Sequence, residues 1–148
     1  MKDKYTIIKE EFDEATGITT VEINTNYGIF IGTTQLDEED SKYPSIYQGH
    51  ELALSKALRK FAKQMVIITR EKMQPLKAVL SQCAFIYSHS EEQVYGKATF
   101  LIRREIEKLE KELELWNKRV AALSTHIENR ILTRDKIVKR YTDKPGQN

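Results

Sequence analysis

Cysteine is almost absent: Cys83 stands alone among 148 residues, so no disulfide can form within the chain and a reducing, cytosolic setting is expected. Glycine is scarce too, and its six copies form no phosphate-cradling loop. His50, His89 and His126 lack the spacing of metal-ligand pairs. No nucleophile elbow, helical histidine pair or cysteine cluster appears, so every common catalytic constellation lacks a part. The chain reads as a binding protein that needs no cofactor, rather than an enzyme. Long apolar runs are missing as well. Residues 1–5 are charged and lead straight into an alternating pattern, and nothing later is long and apolar enough to span a bilayer. Secretion and membrane insertion are not expected.

What is present suits one folding unit, since a hydrophobic content of 40% supports a modest core at this length. The formal charge of +2 conceals an uneven distribution. Residues 1–50 carry four Lys and ten Asp or Glu, whereas residues 117–148 carry eight Lys or Arg and three acids. An acidic head and a basic tail favour attraction between copies, or an anionic partner for the tail.

The first third predicts strands. Tyr5-Thr6-Ile7-Ile8, then Ile18 to Ile23 after a polar break, and Ile29 to Thr33 are rich in β-branched and aromatic residues, with period-two alternation at Val21, Ile23 and Thr25. Ala15-Thr16-Gly17 and Asn24 to Gly28 each end in a glycine able to adopt positive φ, which joins the strands as consecutive hairpins. A three-stranded antiparallel meander follows, with room for a fourth strand near Leu36. Asp37-Glu38-Glu39-Asp40 and the segment through Pro44 read as a solvated acidic loop, because a calcium loop needs spaced ligands and a central glycine.

The remainder predicts helices. Leu54, Leu58, Phe61, Met65 and Ile68 recur at three- and four-residue steps from about His50, with Ala53 and Ala57 allowing close approach. Pro75 should kink or break this helix near Gln74 before a helical pattern resumes from Leu76 to Tyr87. A polar connection runs through Ser88 to Gln93 and on to Gly96. From Lys97 to about Tyr141 there is neither glycine nor proline, enough for roughly 65 Å of helix at about 1.5 Å per residue. Ile102, Ile106, Leu109, Leu113, Trp116, Val120, Leu123 and Ile127 step by four and three, the seam of a coiled coil. The expected class is therefore α+β, with a β-meander and acidic loop over residues 1–48 and a helical hairpin with a long C-terminal helix over 49–148. The seam exceeds what the first helix can cover, so homo-oligomers are expected.

Carrying the seam past Ile127 puts Arg130 and Arg134 on it, before Ile137 and Tyr141. Two arginines four residues apart share a helical face, and their planar forks fit phosphate or carboxylate oxygens. They are the leading candidates for gripping an anion. In the competing register, Ile131 and Val138 take the seam and both arginines face water. Lys56, Arg59 and Lys60 on the first helix, and Arg103 and Arg104 on the last, are candidates that also fit a solvated face. Phe85, Tyr87 and Tyr95 flank the helix connection, where an aromatic can stack on a nucleobase; Trp116 reads as packing.

The order of Thr20-Val21-Glu22-Ile23-Asn24-Thr25-Asn26-Tyr27-Gly28-Ile29-Phe30-Ile31-Gly32-Thr33, an acidic loop, Gly49 to Ala57, Phe85-Ile86-Tyr87-Ser88-His89-Ser90 and Leu101 to Ile106 resembles small proteins of Gram-positive phages and prophages. Within that group the chain is similar to Thoeris anti-defence proteins of the first type. The resemblance covers most of the chain and rests on pattern. It implies a sponge in the cytoplasm of an infected bacterium, which sequesters, uncleaved, a cyclic ADP-ribose isomer made by a TIR-domain enzyme. It also implies dimers or assemblies of dimers. Pockets in that family combine arginines of the C-terminal helix, a cation of the first helix and an inter-helix aromatic. Arg130 and Arg134 match the arginines, Lys56 stands where an arginine is usual, and Phe85 or Tyr95 would stack the base. Some members also hold cyclic oligonucleotides.

Two rival readings use the same residues. A phage adaptor would bind a host protein or nucleic acid through the basic C-terminal helix, with affinity falling steeply in salt if the partner is nucleic acid. A purely architectural coiled coil would use Arg130 and Arg134 to set register.

Overall fold

The computed structural model describes residues 4–36, 49–89 and 93–142, with side chains described except at 83–89, 93–95, 98 and 132–142. The acidic loop, Pro44 and the connection at 90–92 lie outside the described residues, as do the side chains of Ile137, Val138 and Tyr141. Three strands, β1 (Thr6–Asp13), β2 (Ile18–Thr25) and β3 (Gly28–Gln35), precede two helices, α1 (Gly49–His89) and α2 (Gln93–Thr142). By its internal contacts the chain divides into one unit of Met1–Phe61 with Arg119–Asn148 and another of Ala62–Lys118. The boundary between the two units falls within each helix.

In the first unit, the strands form an antiparallel sheet in the order β1-β2-β3. Gly17 and Gly28 adopt φ of 71° and 118°, conformations open to glycine and costly for other residues. At the first turn the Asp13 side chain accepts from the Ala15 amide at 2.9 Å, and its carbonyl accepts from the Gly17 amide at 2.7 Å. At the second, the Thr25 hydroxyl donates to the Gly28 carbonyl at 2.8 Å and accepts from the Tyr27 amide at 3.1 Å. Side chains thus satisfy backbone groups that the ladder leaves over.

β1 is longer than its apolar residues predict. It continues through Lys9-Glu10-Glu11 because β2 supplies partners as far as Asp13 opposite Ile18, with a bulge between Ile7 and Lys9. The whole strand is exposed, so its charges cost no burial. Leu36 itself is not in a strand, and residues 37–48, where the expected fourth strand would continue, lie outside the described residues. The Leu36 amide donates to the Gly17 carbonyl at 2.7 Å, beyond the end of β3.

Alternation sorts the sheet into two faces. Thr19, Val21 and Ile23 of β2 are fully or almost fully buried, and Thr34 of β3 joins them. Leu52, Ala53, Ala57, Leu58 and Phe61 of α1, with Leu123 and Ile127 of α2, complete this core. The Phe30 and Phe61 rings lie 5.4 Å apart at 52°, a tilted aromatic pair between β3 and α1. The buried Thr34 hydroxyl donates to the Gly49 carbonyl at 3.0 Å, which ties the strand to the start of α1. Gly32 lets the two backbones touch. A Cβ there would overlap the Ala53 carbonyl and lie 2.7 Å from the Ala57 nitrogen.

In the second unit, Met73 of α1 and Ile106 and Leu109 of α2 form a buried cluster, packed by Leu76, Leu80, Ile102 and Leu113. Pro75 does not break α1, which runs continuously from Gly49 to His89. The ring stands on the exposed side, where water can take the carbonyl bond that proline cannot make, while Met73, Leu76 and Leu80 hold the flanking turns by burial. Gly96 lies inside α2, not before it, and its carbonyl accepts from the Thr99 hydroxyl at 3.0 Å.

The seam residues Ile106, Leu109, Trp116, Leu123 and Ile127 are each buried within the single chain, and Ile102, Leu113 and Val120 are half-buried. The chain itself therefore covers much of the seam among the described residues. Among the described residues, exposed large apolar side chains include Phe100, Leu101 and Leu115 of α2, Ile67 and Val79 of α1, and Ile7, Ile29 and Ile31 of the sheet.

Candidate anion site

Glu51 belongs to the first turn of α1, where a carboxylate meets the partial positive charge of the helix N-terminus. His126 and Arg130 are four residues apart on α2 and share a face. One oxygen of Glu51, Oε1, accepts from Arg130 Nη2 at 2.7 Å and lies 3.4 Å from His126 Nε2. A single anionic oxygen is thus held between a guanidinium and an imidazole, at the N-terminal end of a third dipole.

Arg130 stands where the two registers diverge. It is half-buried beside an equally half-buried Ile131, so the guanidinium is neither sealed in a seam nor turned wholly to water. Glu51 relieves the cost of its partial burial. The Arg130 and Glu51 side chains keep 36% and 42% of their exposure, so the pair contributes no more than about 1 kcal/mol.

Lys56 and Arg59 lie half-buried on α1 in the same unit as Arg130, whereas Arg103 is exposed on α2 in the other unit, as is Arg104. Lys60 is no idle surface cation. Its ammonium donates to the Ile31 carbonyl at 2.7 Å and ties α1 to β3. Trp116 is packed, as its seam position predicts. The side chains of Arg134, Phe85, Tyr87 and Tyr95 lie outside the described residues, although their backbones are helical.

Sequence reasoning missed Glu51 and His126. The spacing of His126 and Arg130 was visible, and so was an acid in a first turn, but nothing local pairs residues 79 positions apart. Among the described residues, no group of three or more His, Cys, Asp or Glu stands close enough to hold a metal ion, and no helix is long and apolar enough to cross a membrane. The chain matches no protein-family model, no curated protein and no solved structure.

Proposed function

We propose that the chain binds a cyclic nucleotide carrying a pyrophosphate, of the cyclic ADP-ribose class, and holds it without cleaving it, so that a host immune signal is withdrawn. The observation that carries this reading is the Glu51 oxygen seated against Arg130 and His126. A phosphate oxygen offers the same acceptor with greater charge, and an arginine fork can grip two such oxygens at once. Lys56 and Arg59, in the same unit, would add positive charge, and Arg134, one helical turn beyond Arg130, would extend the grip.

Self-association into dimers or assemblies of dimers is part of this reading, supported by the apolar residues Phe100 and Leu101, exposed by 62% and 61%. A pocket closed by two copies buries more of a small ligand, and a sponge for a scarce signal needs a dissociation constant of roughly nanomolar order, about −12 kcal/mol.

The test is equilibrium dialysis of the full chain against synthetic cyclic ADP-ribose isomers, followed by denaturation and chromatography of what is released. Tight binding, intact release and loss of retention in Arg130→Ala are expected. Degraded nucleotide would establish an enzyme. Absence of nucleotide binding, together with salt-sensitive retention on DNA, would favour the adaptor reading.

A further inference from the structure

The second unit contains a cleft of about 280 Å³ lined by Arg70, Met73, Gln74, Lys77 and Leu113. The four α1 residues stand at i, i+3, i+4 and i+7, one face of that helix. Buried Met73 and half-buried Leu113, both part of the unit's apolar cluster, supply a hydrophobic base. Arg70 and Lys77 are exposed, seven residues apart, which separates them by about 10 Å along the helix axis. The Gln74 amide, which can both donate and accept, stands between them.

Neither cation has an ion-pair partner among the described residues, in a chain with 22 acidic residues. Two exposed cations beside an apolar base favour an occupant with both characters. The volume lies just below the usual range of small-molecule pockets, about 300–1,000 Å³, which limits the occupant to a small molecule.

We infer that this cleft binds a small amphiphilic anion, a phosphate or carboxylate group on a short apolar body, with Arg70 and Lys77 holding the charged group and Met73 and Leu113 covering the apolar part. This site lies wholly within the second unit and does not depend on Arg130.

The probe is octyl phosphate, added below its micelle-forming concentration to the isotope-labelled full chain. Saturable shifts of the Gln74 side-chain amide and Met73 methyl resonances are expected. In Arg70→Ala/Lys77→Ala, whose substitutions are at exposed positions, affinity should fall by about tenfold or more with the helical circular dichroism unchanged. Octanol and inorganic phosphate, each carrying half the chemistry, should bind at least about tenfold more weakly than octyl phosphate. Vesicles of phosphatidylglycerol and phosphatidylcholine should not sediment the protein, which separates a soluble amphiphile from a lipid surface. No response to octyl phosphate, an equal response to either half, binding to vesicles alone, or full retention in the double variant would overturn the inference.

Discussion

Gly32 of β3 and Ala53 of α1 meet backbone to backbone: the space for a Cβ on Gly32 is taken by the Ala53 carbonyl oxygen. Ala53 and Ala57 are fully buried on the facing helix, so small residues on both sides set the approach of sheet and helix. Gly32→Ala should therefore destabilise the chain by about 1–3 kcal/mol or more, because backbone yields less readily than side-chain ends. Chemical denaturation measures this. A loss below half a kcal/mol, about the size of an ordinary surface change, would mean that the two elements are not in contact.

Gly28 provides the contrast. Its φ of 118° is open to glycine, but nothing lies within 4 Å of an added Cβ. Gly28→Ala should cost about 1 kcal/mol through conformation alone, less than the packing clash at Gly32. The order of the two melting temperatures tests the assignment.

Glu51 should act as an internal competitor at Arg130. Glu51→Gln removes the negative charge while nearly keeping the shape, and should raise affinity for the cyclic ADP-ribose probe several-fold, with a stability loss of no more than about 1 kcal/mol. Calorimetric titration of both proteins decides it. Weaker binding in the variant would show that the carboxylate helps to hold the ligand.

Pro75 should be a removable weakness. Pro75→Ala restores an amide donor inside α1 at an exposed position, so the melting temperature should rise. The gain is bounded by about 3 kcal/mol of helix preference, less about 0.4–1 kcal/mol for the freer unfolded chain. A fall in melting temperature would mean that the ring makes packing contacts of its own.

The exposed sheet residue Ile29 tests self-association. At 57% exposure, Ile29→Thr should change the stability of a single chain by less than about 0.5 kcal/mol. Light scattering and denaturation at two protein concentrations should be run together. A larger, concentration-dependent loss would show that another copy covers this face.

Local chemistry decided much of the fold in advance. Alternation at Val21 and Ile23, β-branched residues around them and glycines at 17 and 28 determine a meander, because each acts through its nearest neighbours. The four-and-three spacing from Ile102 to Ile127 likewise determines one long helix with a single buried face. What it could not determine was what covers that face. The coverage within one chain depends on packing partners remote in sequence, including Met73, Leu76 and Leu80 for the α2 residues of the second unit.

Long-range placement decided the rest. The polar run Lys9-Glu10-Glu11 became strand because β2 offered it backbone partners, and Pro75 stayed within a helix because buried Met73 and half-buried Leu76 and Leu80 anchor the turns around it. Arg130 was legible as a candidate from its spacing, while its carboxylate partner was not, since Glu51 meets it only when α1 and α2 are packed in the first unit. Side-chain periodicity is a property of a few adjacent turns; an ion pair spanning 79 residues is a property of the assembled core, and only the tertiary structure contains it.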